Sequence, residues 1–163
     1  MAGKETSGIS SASAHLFRGA NLVMTVCSQT LESACREIAE YAKAMGFKRI
    51  VTCTAEEHDR KIALTSQLAH IVSNAYVKSP EVDGCEGFTG GSFQDMTRIA
   101  GVDEIMWSEL YLSNRENLLA ELDLLIGHLS EYRKALADGD EETLRQKLRE
   151  GRHCRERIRR GND

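Results

Sequence analysis

No two cysteines in this chain stand in CxxC spacing, no apolar run reaches the roughly 20 residues needed to span a bilayer, and no G-x-G-x-x-G turn occurs along it. Each absence excludes a class of protein. Five scattered cysteines (Cys27, Cys35, Cys53, Cys85 and Cys154) are an odd number, which fits reduced thiols in a cytoplasmic protein rather than a disulfide framework or a zinc site. The opening MAGKETSGISSASAH has no apolar core of signal-peptide length. Dinucleotide binding needs a glycine-rich turn between a strand and a helix; Gly90-Gly91 precedes a helical pattern but follows no recognisable strand. There is no excess of basic residues either. The formal charge of -4 argues against a nucleic-acid footprint, and the basic tail from Arg145 to Arg160 is interleaved with glutamates, as a solvated helix face is. The chain also lacks an internal repeat, a low-complexity segment and any nucleophile-and-base pattern of a hydrolase.

What remains is ordinary for a globular protein. At 163 residues, with 41% hydrophobic and 28% charged residues, the chain has room for one domain, or for one domain and a fragment of another. Residues 1–19 are rich in Gly, Ser and Ala and show neither hydrophobic period, so they read as a loop. Residues 21–26, Asn-Leu-Val-Met-Thr-Val, have strand character. A helix is expected over 30–45, with Ala34, Ile38, Tyr41, Ala42 and Met45 on one side and Gly46 ending it. Residues 47–53 read as a second strand. Strand, helix, strand is the smallest piece of an α/β layer, and two strands do not make a stable sheet alone, so 1–53 reads as a remnant of a larger α/β domain.

From Thr54 onward the pattern is helical, which sets the expected second domain at 54–163. Thr54 and Glu57 form a capping-box pattern for a helix running to about Lys78, before Ser79 and the only proline, Pro80. Apolar Ile62, Leu64, Leu68, Ile71, Val72, Ala75, Tyr76 and Val77 surround that helix almost completely, which predicts burial within a bundle. Counted at about 100° per residue, Asp59, Ser66 and His70 fall in a polar stripe roughly 40° wide. A short helix is expected over 93–100, and Asp103 caps another. Leu118, Leu122, Leu125, Ile126, Leu129, Tyr132 and Leu136 include spacings of four and three, the seam of a helix packed along another. Packing within the chain or a dimer interface would cover this seam; few other large apolar surfaces exist to cover it, which favours the dimer. Asp138-Gly139-Asp140 breaks the helix, and Asp140 caps a last one carrying Leu144 and Leu148.

Arg98 stands out chemically. It lies in a helical turn opened by Gly90 and Gly91 and is flanked by Ile99 and Ala100, so partial burial is expected, and its fork suits a bidentate pair with a carboxylate. The bland alternative, an ion pair with Asp95 three residues earlier, is equally compatible with the residues. His70, among apolar faces, reads as a pocket histidine or a hydrogen-bonded core histidine. His58, beside Glu56, Glu57 and Asp59, reads first as a helix-surface residue.

The run GGSFQDMTRIA from Gly90 to Ala100 is the most specific feature. With the opening MAGKETSG, the stretch Glu56-Glu57-His58-Asp59, residues 65–70, residues 103–107 and residues 114–117, it resembles the prephenate and arogenate dehydrogenase family over nearly the whole chain. The resemblance implies a mainly α chain: a helical substrate-binding and dimerisation domain preceded by the strand-helix-strand remnant of a nucleotide-binding domain. It implies a cytoplasmic homodimer of tyrosine biosynthesis, with no membrane or nucleic-acid partner. Family members oxidise prephenate or arogenate with NAD or NADP; hydride leaves the ring carbon bearing the hydroxyl, carbon dioxide is lost, and hydroxyphenylpyruvate or tyrosine results.

Carried onto this sequence, the resemblance implies that Arg98 pairs with a substrate carboxylate, and that Ser66, His70, Gly91 and Trp107 belong to the same binding site, Trp107 reaching a neighbouring subunit. Asp95, Glu5 and His58 would belong to the supporting polar network. Gln67 and Ala69 stand where the family commonly has His and Pro. The family's catalytic histidine belongs to a His-Pro pair that would precede Met1, so no catalytic residue is expected within the chain. No cofactor is expected to bind it either, and the chain alone is expected not to transfer a hydride. The alternative expectation is a free-standing helical dimer module that binds an aromatic acid or a separate nucleotide-binding chain.

Overall fold

The computed structural model describes residues 8–162. It divides into two compact units, one ending at Thr65 and the other beginning at Ser66. The architecture is mainly α with a small strand remnant, as the sequence pattern implies. The five cysteines are free thiols, and no helix among the described residues is long and apolar enough to cross a membrane.

The first unit opens with a 3-10 turn, Ile9–Ser11, and then β1 (Asn21–Thr25), α1 (Glu32–Ala44) and β2 (Arg49–Cys53). β1 and β2 pair in parallel, from Asn21 opposite Arg49 to Thr25 opposite Cys53. A parallel pair needs a crossover, which α1 supplies. Gly46, at φ 90°, turns the chain out of α1: the Phe47 N–H bonds the Ala42 carbonyl at 3.1 Å and the Gly46 N–H bonds the Lys43 carbonyl at 3.0 Å. These two bonds satisfy carbonyls that a helix end leaves open, and the left-handed backbone they require favours glycine. The same turn delays β2 to Arg49, two residues later than the apolar pattern begins. Phe17 and Phe47 stack at 5.1 Å over this corner. Of the apolar side expected on α1, only Ala42 is buried; Ile38, Tyr41 and Met45 remain exposed, because a two-stranded sheet is too narrow to cover them.

The long helix predicted from Thr54 is helical from Ala55 to Tyr76, but in three parts: α2 (Ala55–Ile62), a π-helical segment (Ala63–Leu68) and α3 (Ala69–Tyr76). The Thr54 hydroxyl accepts the Glu57 N–H at 3.1 Å, the threonine half of the capping box. The π segment corrects the predicted stripe. An i→i+5 turn takes in an extra residue, so a straight count at 100° per residue from Asp59 to His70 does not hold. Nor is the helix buried all round. Ala63, Gln67, Leu68 and Ser73 are buried, while Leu64 and Tyr76 stay half exposed.

Beyond α3 the second unit continues through a 3-10 turn (Pro80–Val82) to α4 (Gly91–Thr97), α5 (Glu104–Ser113), α6 (Arg115–Asp138) and α7 (Glu141–Asn162). α4 starts and stops earlier than the predicted 93–100, with Gly90 as its N-cap and Arg98 as its C-cap. Asp103 caps α5 by accepting the Met106 N–H at 2.8 Å. α6 ends at Gly139 (φ 66°) through the same pair of bonds that closes α1, here from Asp140 to Ala135 and from Gly139 to Leu136. Asp140 then caps α7, and Lys147 Nζ reaches back to Glu131 Oε2 at 2.9 Å, tying α7 to α6. The seam of α6 divides. Leu118 is buried and Leu122, Leu125 and Tyr132 are half-buried, whereas Ile126, Leu129 and Leu136 are exposed.

Candidate functional site

α3 carries polar side chains at spacings of three and four, which brings them onto one face. In this helix the face is His70, Ser73 and Asn74, and all three reach the same place. The Ser73 hydroxyl donates to the Met96 carbonyl at 2.6 Å, His70 Nδ1 bonds the Ile99 carbonyl at 2.9 Å, and Asn74 Nδ2 donates to the Ala100 carbonyl at 3.1 Å. The last carbonyls of a helix and the turn after it have no partners within the helix. Here α3 supplies them, so the end of α4 is held by side chains rather than by water.

Because a carbonyl can only accept, His70 Nδ1 donates in this bond. The ring lies 4.0 Å from the Trp107 ring, tilted by 46°, and Trp107 in turn lies 5.6 Å from Tyr111. Trp107 and Tyr111 line a cleft of about 300 Å³ with apolar Ile71, Ala75 and Val102 and polar Asn74, Lys78, Glu104 and Ser108. Burial pushes the Tyr111 phenol above its ordinary range, so it is a protonated donor at neutral pH.

The expected site residues are distributed as follows. Ser66, half-buried, lies in the π segment, and His70 and Trp107 are in ring contact. Gly91 opens α4 in the open, and a Cβ built on it would meet nothing within 4 Å, so the chain itself does not require glycine there. Asp95 is exposed on α4. Arg98 is also exposed, which corrects the expectation of partial burial, while the carbonyls of its neighbours Ile99 and Ala100 accept hydrogen bonds from α3. His58 lies in the first unit, with Nδ1 2.9 Å from Asp59 Oδ1. That contact fits the helix-surface reading. Glu5 lies outside the described residues.

Sequence reasoning missed Ser73 and Asn74, and it missed the role of Gln67. Their only signal was polarity on a helix otherwise rich in apolar residues, at offsets of three and four from His70. Gln67 is buried, donates to the Leu110 carbonyl at 3.1 Å and accepts from Asn114 Nδ2 at 2.8 Å, joining the π segment to the junction of α5 and α6.

Among the described residues no group of three or more His, Cys, Asp or Glu is placed to hold a metal. The turn between β1 and α1, residues 26–31, has no glycine to let a pyrophosphate approach, and Glu32 places a carboxylate in the first turn of α1, where it repels phosphate.

A strand-helix-strand piece of parallel sheet and a helical unit with a polar helix face gripping a neighbouring helix end define a mainly α chain with a small strand remnant. Residues 54–150 match the family described as prephenate dehydrogenase, dimerization domain, and the chain belongs to that family. It is 32% identical over 171 residues to the cyclohexadienyl dehydrogenase of Zymomonas mobilis, covering 100% of this chain and 57% of that protein. It is 30% identical to the prephenate dehydrogenase of Lactococcus lactis, covering 97% of this chain and 44% of that one. The crystal structure of the A. aeolicus prephenate dehydrogenase in complex with hydroxyphenyl propionate and NAD+ superposes with a TM-score of 0.80 at 28% identity, covering 96% of this chain and 56% of that one. The chain thus spans about half the length of the relatives it matches.

Proposed function

We propose that this chain is the substrate-binding and dimerising part of a prephenate dehydrogenase, with residues 1–53 belonging to the nucleotide-binding domain and 54–163 forming the helical domain. The observation that supports this reading is the main chain around Arg98: Arg98 is exposed, and the segment that carries it is hydrogen-bonded by α3 through a histidine whose ring lies against Trp107. A planar cation, an imidazole and an aromatic face suit an aromatic acid bearing a hydroxyl and a carboxylate. Prephenate or arogenate is the substrate, and hydroxyphenylpyruvate or tyrosine the product.

In this reading Arg98 takes the substrate carboxylate as a bidentate pair, and His70 Nε2 hydrogen-bonds a polar group of the ligand. Ser66 and Gly91 line the approach. The bare Cα of Gly91 leaves room for the ligand, since nothing in the chain fills the space a side chain would take. Asp95 belongs to the supporting polar network. The second copy of a homodimer covers the exposed apolar side chains of α5 and α6, and Trp107 serves that copy's site. NAD or NADP acts in the whole enzyme, on segments its relatives carry beyond the span of this chain. The chain alone binds substrate and does not oxidise it.

Calorimetric titration of the chain with hydroxyphenylpyruvate tests the assignment. Arg98→Ala should weaken binding about tenfold or more, the loss expected when a charge-assisted pair is removed. A titration unchanged by that substitution would rule the assignment out.

A further inference from the structure

We propose that Ser73 and Asn74 are positioning residues for Arg98, fixing through its flanking carbonyls the direction in which the guanidinium leaves the main chain. The inference rests on the reading of Arg98 as the carboxylate-binding residue and adds two side chains that act through the main chain, Ser73 being enclosed and Asn74 also lining the cleft of Trp107 and Tyr111. The α-helical hydrogen bonding of α4 ends at Arg98, whose N–H bonds the Gln94 carbonyl at 3.0 Å. Past this point a single turn, closed by the Ala100 N–H on the Thr97 carbonyl at 3.0 Å, precedes the Asp103 cap of α5. The gap is bridged from outside. Met96, two residues before Arg98, is held by Ser73; Ile99 and Ala100, the two residues after it, are held by His70 and Asn74.

Ser73 is the most enclosed of the three, at 2% exposure, and its bond of 2.6 Å is the shortest. The three donors sit at positions i, i+3 and i+4 of one helix, so they move as a rigid set, and the segment 96–100 moves with them. A guanidinium fork binds a carboxylate in two parallel hydrogen bonds and is therefore sensitive to its angle of approach, as a lysine point charge is not. Displacement of such a group by about 1 Å can reduce its effect by up to a hundredfold.

Two measurements on the 163-residue chain test the proposal. The first needs no ligand. Backbone ¹⁵N relaxation should give Arg98 an order parameter near the rigid value of about 0.85, falling toward about 0.6 in the Ser73→Ala/Asn74→Ala double variant. The Phe93 amide, nearer the start of α4, should stay rigid in both. If the double variant does not fold, Asn74→Ala alone serves, with Ser73→Thr as the conservative control that keeps the hydroxyl and the rigidity. An Arg98 amide that remains rigid in a folded variant overturns the proposal.

The second measurement is calorimetry with hydroxyphenyl propionate and with hydroxyphenylethanol, which has the ring but no carboxylate. Ser73→Ala, at a residue outside the cleft, should weaken the acid by about fivefold or more and leave the alcohol unchanged. In an Arg98→Lys background the same change should cost less than about twofold, since the ammonium does not depend on orientation. Equal weakening of both compounds would mean a general collapse of the pocket and would overturn the positioning role. If the unaltered chain binds neither compound, the functional reading fails, and the relaxation measurement still decides whether Ser73 and Asn74 order Arg98.

Discussion

Gln67 and Asn114 each place a side-chain amide where water is scarce, at 5% and 8% exposure, and they solve the problem together. Asn114 Nδ2 donates to Gln67 Oε1, Gln67 Nε2 donates to the Leu110 carbonyl, and Asn117 Nδ2 donates to Asn114 Oδ1. Asn114 also occupies the kink between α5 and α6, at φ -116° and ψ 29°. Asn114→Ala therefore leaves the buried Gln67 amide and the half-buried Asn117 amide each short of a partner, and stability should fall by about 1–3 kcal/mol, read as a lower urea midpoint with an unchanged slope. Gln67 stands where the resembled family commonly has histidine, and here its amide is fully used inside the fold. That use was not legible in the sequence, because Leu110 and Asn114 are more than forty positions away. Arg98 shows the opposite case: its chemistry was legible from its neighbours, and its exposure was not.

At the scale of elements, the ends were easier to read than the middles. Gly46, Thr54, Asp103, Gly139 and Asp140 all mark boundaries where the structure has them, since capping and left-handed turns depend on a few adjacent residues. The π segment has no comparable local signal. Asp140 also gives an element-scale pH dependence. Its carboxyl is held below the ordinary aspartate range, first by the Thr143 N–H at 3.0 Å and then by the Thr143 hydroxyl at 2.7 Å, with Glu142 N–H and Lys134 adding to this. A carboxyl depressed in the folded state contributes stability above its ordinary pKa and loses that contribution as pH falls through the lowered value. The first turn of α7 should therefore fray only under acid conditions below the usual aspartate range, seen as faster exchange of the Thr143 amide. Asp140→Asn, an equally good cap without a titrating group, should remove the pH dependence.

At the scale of the whole molecule, Ile105, Leu112, Leu124, Leu129 and Leu136 on α5 and α6 are each more than half exposed in a single chain. This is more apolar surface on two helices than a monomer ordinarily leaves open. The chain should sediment at twice its 18.1 kDa, and Leu129→Glu should shift it toward monomer without loss of helical signal by circular dichroism; a monomeric parent would contradict the dimer. The helical class, the strand-helix-strand opening, the helix caps and the kinship with prephenate dehydrogenases were all determined by the sequence alone. These rest on hydrophobic period, capping chemistry and motif, all written in neighbouring residues. Only the tertiary structure decided that the long helix is broken by a π segment, that the seam of α6 is half open, and that Ser73, His70 and Asn74 converge on the carbonyls around Arg98. These depend on contacts between residues some twenty to fifty positions apart, where a hydrogen bond to a distant carbonyl leaves no trace in the local pattern.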